Sequence, residues 1–110
     1  MNSVILIPKV LEYIESLIPI LYENGYFSFA DTAIKYVDDL YDDIQSTLPQ
    51  RLHKPAPPYF DKYGEDMKYA VFVKSKRTSW YVFFQTYEEN EQIYYLVRYI
   101  SNNHIIAQYL

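Results

Sequence analysis

The chain has 110 residues, half of them hydrophobic, and a formal net charge of −4. This length predicts one domain, residues 1–110, with a hydrophobic core rather than disorder. Because the chain has no cysteine, disulfides and thiolate metal sites are excluded. No apolar run is long enough to span a bilayer, and we therefore expect a cytoplasmic protein that does not bind a membrane.

The first half of the chain predicts a short strand followed by two helices. The apolar run Ser3–Ile7 indicates the strand, and Pro8 suits the first turn of a helix that ends at Gly25. A second amphipathic helix is expected from its cap, Ser28, to Pro49. Since the link between them is short, the two helices predict an antiparallel hairpin.

Residues 67–100 predict a three-stranded antiparallel meander. β-Branched and aromatic residues fill the runs Lys68–Lys74, Ser79–Thr86 and Gln92–Ile100. The polar links Ser75–Thr78 and Tyr87–Glu91 have the length of hairpin turns. The sequence therefore predicts an α+β fold. In this fold an antiparallel β-sheet, made of the N-terminal strand and the meander, carries the two-helix hairpin on one face.

The end of the chain predicts a short C-terminal helix after the last strand. Ser101 or Asn102 would cap it, with His104 in its first turn and Tyr109 near its end. Strict alternation along the last strand predicts two sets of side chains on opposite faces. The sets are Tyr94, Leu96, Arg98 and Ile100 on one face, and Ile93, Tyr95, Val97 and Tyr99 on the other. We expect Arg98 and His104 to share one open face.

Charge is unevenly distributed along the chain. Residues 1–50 hold two cations against eight acids, whereas residues 51–110 hold eight cations against six acids. Between Met67 and Tyr87 there are four cations and no acid: Lys68, Lys74, Lys76 and Arg77. A basic patch is typical of a protein that binds a phosphate-bearing partner. The alternative is that these cations only keep strand ends and turns soluble.

Three further features each allow two interpretations. The fourteen tyrosines either fill an amphipathic sheet or form a surface for stacking bases. The acidic residues of the second helix favour a solvated face over a metal site, because no Ca²⁺-loop ligands accompany them. These residues are Asp38, Asp39, Asp42 and Asp43. The long segment Gln50–Asp66 is either a functional loop or a connector whose Phe60 plugs the core.

The order of these elements resembles that of the RelE/ParE-type toxins, often called plasmid-stabilisation proteins. The resemblance extends from Val4 to Leu110 and is most specific in Tyr69–Phe72, Lys76–Phe84 and Leu96–His104. It implies the toxin of a type II toxin–antitoxin module, silenced by a cognate antitoxin protein. Relatives of the RelE kind cut messenger RNA on the ribosome, and relatives of the ParE kind poison DNA gyrase. Neither activity needs a metal or another cofactor.

The resemblance also implies a set of site residues. Metal-free RNA cleavage uses the 2′-hydroxyl as nucleophile, and it needs a base, an acid and cations that stabilise phosphate charge. His104 and Tyr109 would transfer protons, and Arg98 would bind the phosphate. The cations that would hold backbone phosphates are Lys68, Lys74, Lys76 and Arg77.

Simpler roles for the same residues stay open. His104 would then only cap or pack at a helix start, and Arg98 would pair with an acid at the edge of the core. Lys76 and Arg77 would merely be solvated in their turn. Because the chain is acidic, gyrase inhibition without catalysis and a non-catalytic protein-binding scaffold stand beside RNA cleavage, and whether the protein is an enzyme is left open.

Overall fold

The computed structural model describes residues 2–23 and 30–110 and confirms the α+β class. Its strands are β1 (Asn2–Leu6), β2 (Lys54–Pro55), β3 (Lys68–Val73), β4 (Ser79–Glu89) and β5 (Gln92–Asn102). Its helices are α1 (Pro8–Glu23), α2 (Ala30–Thr47) and α3 (Asn103–Ile106), with 3₁₀ turns at Leu48–Gln50, Pro58–Tyr63 and Ala107–Tyr109. The predicted helix end at Gly25 and the cap at Ser28 lie outside the described residues.

The sheet has five strands in the order β1-β5-β4-β3-β2. The meander β3-β4-β5 is antiparallel as predicted, but β1 pairs with β5 in parallel, and the expectation of a wholly antiparallel sheet is therefore wrong. No hairpin turn sets the direction of β1, since two helices and three strands separate it from β5 in the chain. In the part of the chain that the structure describes, no helix has the length and apolarity of a membrane span.

The helical hairpin covers one face of the sheet, as predicted. The core on this face combines apolar side chains of α1, of α2 and of the turn at Leu48 with the inward residues of the strands. Its largest side chains are those of Phe72, Trp80, Phe84 and Tyr95. The Trp80 Nε1 also donates a hydrogen bond to the Tyr36 hydroxyl, 2.8 Å away, which ties β4 to α2. This face is therefore closed to solvent.

The opposite face is covered over only part of its area. The segment before β3 and the C-terminal helix bury a second, smaller cluster there: Phe60, Met67, Phe83 and Ile106. The Phe60 ring is fully buried and lies 4.3 Å from the Phe83 ring, centroid to centroid. The connector interpretation of this segment is confirmed to that extent, because Phe60 does plug a core.

A β-bulge in β5 changes which residues face the helices. Phe83 pairs with Tyr99 and Phe84 with Val97, so that Arg98 is an extra residue with no partner on β4. The bulge shifts the alternation by one residue, and Val97 and Ile100 are consequently both buried under the helices. The predicted grouping of Arg98 with Ile100 on one face is therefore wrong, whereas Tyr99 packs with the opposite cluster.

Candidate functional site

Arg98 attaches the segment Gln50–Asp66, which we call the irregular segment, to the sheet. Its Nε donates to the Tyr63 carbonyl at 2.9 Å, and the neighbouring Gln85 Nε2 donates to the Glu65 carbonyl at 2.7 Å. Between these two bonds, a Cβ atom on Gly64 would lie only 2.9 Å from the Arg98 Cδ. The partner of Arg98 is thus a backbone carbonyl and not the acid that the simpler interpretation required. Its Nη1 and Nη2 make no hydrogen bond to the described residues.

Arg98 also lines a cleft that forms where β1 ends. Because β1 stops opposite Val97, none of the strands that the structure describes lies beside the rest of β5 on that side, and α1 begins there instead. We call this cleft the β5 cleft. Its volume is about 350 Å³, and it is lined by Lys9, Val10, Tyr13, Tyr63, Arg98, Tyr99, Ile100, Ser101 and Ile105.

Aromatic rings form much of the β5 cleft wall. The rings of Tyr63 and Tyr99 stack at 3.9 Å with an interplanar angle of 6°, and the half-buried Tyr13 lies on the helix side. Burial raises the pKa of Tyr13, and the nearby Tyr99 adds to this effect. Burial likewise raises the pKa of Tyr99. Both hydroxyls therefore stay protonated at neutral pH and carry no charge that would repel an anion.

The charge of the β5 cleft is opposite to that of the whole chain. Its lining includes the cations Lys9 and Arg98, and none of the described lining residues is acidic. Lys9 is exposed and forms no ion pair with the described residues. In a protein of net charge −4, the described lining of this cleft is thus locally positive.

His104 lies at the far end of β5, beside the turn between β3 and β4. Asn102 Oδ1 accepts hydrogen bonds from the backbone N–H of His104 at 2.9 Å and of Ile105 at 3.2 Å. The predicted Asn102 cap is therefore confirmed. Because Asn102 provides the cap, the His104 ring is not used for capping; it is exposed, with Nε2 3.4 Å from the Thr78 Oγ1.

Asn103 joins the turn to the start of α3. Its Oδ1 accepts from the Ser79 backbone N–H at 2.9 Å, and its Nδ2 donates to the Arg77 carbonyl at 3.1 Å. The Ser75 Oγ in addition accepts from the Thr78 backbone N–H at 3.1 Å. These bonds hold one group of polar side chains together, and we call it the basic tip: Lys76, Arg77, Thr78, Asn103 and His104.

The four predicted phosphate-binding cations lie in three places. Lys76 and Arg77 are exposed in the basic tip and form no ion pair with the described residues. Lys74 instead lies 3.8 Å from a carboxylate oxygen of Asp43 on the helix side. Lys68 is exposed at the other end of β3, in a surface hollow that also includes Glu65. Only Lys76 and Arg77 are thus near His104.

Tyr109 stacks on the irregular segment. Its ring lies parallel to that of Tyr59, with centroids 3.6 Å apart, and the Lys62 Nζ lies 4.0 Å from the Tyr59 centroid. A hydrogen bond with Lys62 and, as a smaller contribution, one with Tyr109 lower the pKa of Tyr59. The bond between the two tyrosines raises the pKa of Tyr109. Tyr109 therefore attaches the C-terminus to this segment, and no described contact joins it to His104.

The acidic face of α2 is partly neutralised by neighbouring cations. Asp39 pairs with Lys35 at 2.9 Å, and Asp43 pairs with Arg51 at 3.2 Å. Among the residues that the structure describes, no three acidic or histidine side chains converge on one point. The arrangement agrees with the predicted solvated face.

The structure does not bring Arg98 and His104 together. Three residues of β5 lie between Arg98 and Asn102, and the four steps from one to the other span about 13 Å at the usual rise per residue. The helix α3 nevertheless borders both regions, because Ile105 lines the β5 cleft while the adjacent His104 belongs to the basic tip. The predicted site is therefore two neighbouring sites, one at each end of this stretch of β5.

Sequence reasoning missed four residues of the β5 cleft: Lys9, Tyr13, Tyr63 and Tyr99. They are far apart in the chain: Tyr63 reaches Tyr99 because its segment packs on the face opposite the helices, whereas Lys9 and Tyr13 reach the same place on α1. Comparison of the chain with protein-family models, curated proteins and solved structures finds no match.

Proposed function

We propose that this protein is the toxin of a type II toxin–antitoxin module and cleaves messenger RNA on the ribosome without a metal, at the basic tip. The observation that carries the proposal is the position of His104. Its exposed imidazole lies beside Thr78 in a turn that also presents Lys76 and Arg77. An imidazole beside a turn with two cations that form no ion pair with the described residues is a suitable arrangement for proton transfer at a phosphate.

In this proposal His104 acts on the 2′-hydroxyl or on the leaving oxygen, and the cations stabilise the charge that builds on the phosphate. The hydrogen bonds of Asn102 and Asn103 fix the backbone on both sides of the site, so that His104 is positioned by the fold. Arg98 acts at a distance from this step, as a residue that positions Tyr63 and lines the cleft.

The test compares His104→Ala with a variant that changes an exposed residue close by, Gln108→Ala. Both proteins are expressed in bacteria, growth is followed, and cleavage of messenger RNA by the purified proteins is measured with ribosomes present. We expect His104→Ala to lose cleavage by about 10²- to 10⁴-fold, the usual contribution of general acid–base catalysis. We expect Gln108→Ala to cleave and to arrest growth like the unchanged protein. Full cleavage by His104→Ala would show that the basic tip is not the active site.

A second candidate function, binding of a protein such as DNA gyrase without catalysis, is favoured by an apolar surface. Ile5 on β1 is 40% exposed, and Tyr87 on β4 is 46% exposed. The strand register places them with the half-buried Leu96 and Tyr94 on one surface, which we call the apolar patch. Contiguous apolar surface of this kind marks many protein-binding sites.

The two candidates respond to different substitutions. If the protein inhibits gyrase, Tyr87→Glu should abolish inhibition of DNA supercoiling and growth arrest, because it places a charge in the apolar patch. His104→Ala should then stay toxic. If the protein cleaves RNA, Tyr87→Glu should stay toxic and His104→Ala should lose toxicity. The unchanged protein should then leave DNA supercoiling unaffected.

A further inference from the structure

The β5 cleft has the features of a small-ligand site that is separate from the basic tip. Its volume of about 350 Å³ falls within the range of about 300–1,000 Å³ typical of small-molecule sites. It is concave and apolar along Val10, Ile100 and Ile105, with polar groups at its margins. A cleft of this volume fits one small molecule, and it is too small for a folded partner.

The tyrosine rings indicate what kind of planar group would enter. Tyr63 and Tyr99 already form one parallel stack, and Tyr13 lies across the cleft from them on α1. Tyr13 is itself held by an edge contact with the Trp80 ring, whose centroid is 6.5 Å away. Fixed aromatic faces of this kind bind nucleobases by stacking, with little dependence on the base.

The free donors of the β5 cleft indicate an anionic group next to the planar one. Arg98 uses only its Nε within the protein, which leaves Nη1 and Nη2 without a partner among the described residues. A guanidinium with two free nitrogens binds a phosphate through two parallel hydrogen bonds. The exposed Lys9 supplies a second positive charge from α1, and no described lining residue is acidic.

We infer that the β5 cleft binds one nucleotide, with its base against the tyrosine rings and its phosphate between Lys9 and Arg98. The nucleotide is either free in solution or one unit of a single-stranded RNA, since both present the same base and phosphate. The inference goes beyond RNA cleavage at the basic tip, because it involves neither His104 nor any bond-breaking step.

The inference is tested by equilibrium binding to the whole chain, with adenosine monophosphate as the first probe. Adenosine and ribose 5-phosphate serve as the two halves of this probe. Because each half keeps only the stacking or only the charge contacts, we expect each to bind at least about tenfold more weakly than the nucleotide. Added salt should weaken binding of the nucleotide, but it should leave adenosine unaffected.

Two substitutions locate the binding. Lys9→Ala removes an exposed cation without an ion pair, so it should fold normally and bind the nucleotide about five- to tenfold more weakly. Lys35→Ala, which removes a cation from the far side of α2, is the matched control and should bind like the unchanged protein. Arg98→Lys keeps the charge but loses the paired donors, and it should bind about tenfold more weakly.

The source of the nucleotide is read from a second probe, a single-stranded RNA of five adenylates. Binding at least about tenfold tighter than that of the monophosphate assigns the cleft to an RNA strand, and equal binding assigns it to the free nucleotide. The inference is overturned if neither probe shows saturable binding up to about 1 mM, or if Lys9→Ala binds as tightly as Lys35→Ala. A protein that binds nucleotide but cuts no RNA overturns only the proposed function. A protein that cuts RNA through His104 but binds neither probe overturns only this inference.

Discussion

The two faces of the sheet differ in what covers them and therefore in what they contribute. The helix side is closed by α1 and α2 over a large core that includes Phe72, Trp80 and Phe84. The opposite side is closed by an irregular segment over four buried residues, and its remaining area stays open. Stability should thus come mainly from the first face, while the second face and the adjoining end of β5 remain available for binding.

The largest expected effect comes from the helix side. Phe84→Ala would leave a cavity between β4 and the helices, because the Phe84 ring is fully buried. We expect the free energy of unfolding to fall by about 3–5 kcal/mol, the usual cost of deleting a buried phenylalanine. Urea unfolding measures this loss. Leu52→Ala, at a position 79% exposed, is the control and should change little.

A smaller and more local effect is expected from Phe60→Ala on the opposite side. The Phe60 ring anchors the irregular segment against Phe83, yet the segment can detach while the sheet and helices stay folded. We expect the loss to stay below about 3 kcal/mol, less than the usual cost of deleting a buried phenylalanine, because local detachment of the segment limits it. Hydrogen exchange should speed up in residues 55–66 and not in α2. Equal acceleration in both would mean that the two faces unfold as one unit.

Gly64→Ala tests the close contact between the irregular segment and Arg98 of β5. The added methyl would lie 2.9 Å from the Arg98 Cδ and 3.2 Å from the Gln85 Nε2. The resulting crowding should lower the free energy of unfolding by about 1–2 kcal/mol. Removal of the crowded side chain supplies the control, because Gly64→Ala should cost much less in an Arg98→Ala background. Identical costs in both backgrounds would contradict the role of this contact.

The smallest effects are expected at the ion pairs of α2, those of Asp43 and that of Asp39. Asp43→Asn removes the partner of Arg51 at 3.2 Å and of Lys74 at 3.8 Å. All three side chains are partly exposed, and we expect a loss of under about 1 kcal/mol that shrinks further in high salt. Asp39→Asn, which breaks the more exposed pair with Lys35, should cost still less in the same unfolding experiment.

Most of the fold could be predicted from the sequence because its signals are local. Helical spacing over the first half and β-rich runs over residues 67–100 each act within a few residues. The direction of β1 could not be predicted, since its partner β5 is distant in the chain. The bulge at Arg98 could not be predicted either, because no glycine or proline in β5 signals it.

The candidate site was less predictable than the fold. The sequence indicated His104 and four cations, and the structure places His104 beside Thr78, in the turn that contains Lys76 and Arg77. The sequence could not show that Lys74 faces Asp43 or that Arg98 bonds to the Tyr63 carbonyl, because both contacts depend on tertiary packing. The tyrosines of the β5 cleft come from three separate elements, and no spacing in the sequence relates them.

The most direct test of the division between the two faces is to map, by NMR, which backbone amides shift when single-stranded RNA is added to the unchanged protein. We expect the shifts to be confined to residues 98–105, to the turn at 75–78 and to the first turn of α1. The amides of α2 should stay unchanged, because its acidic surface repels RNA. Shifts centred on α2, or no shifts in residues 98–105, would contradict the account.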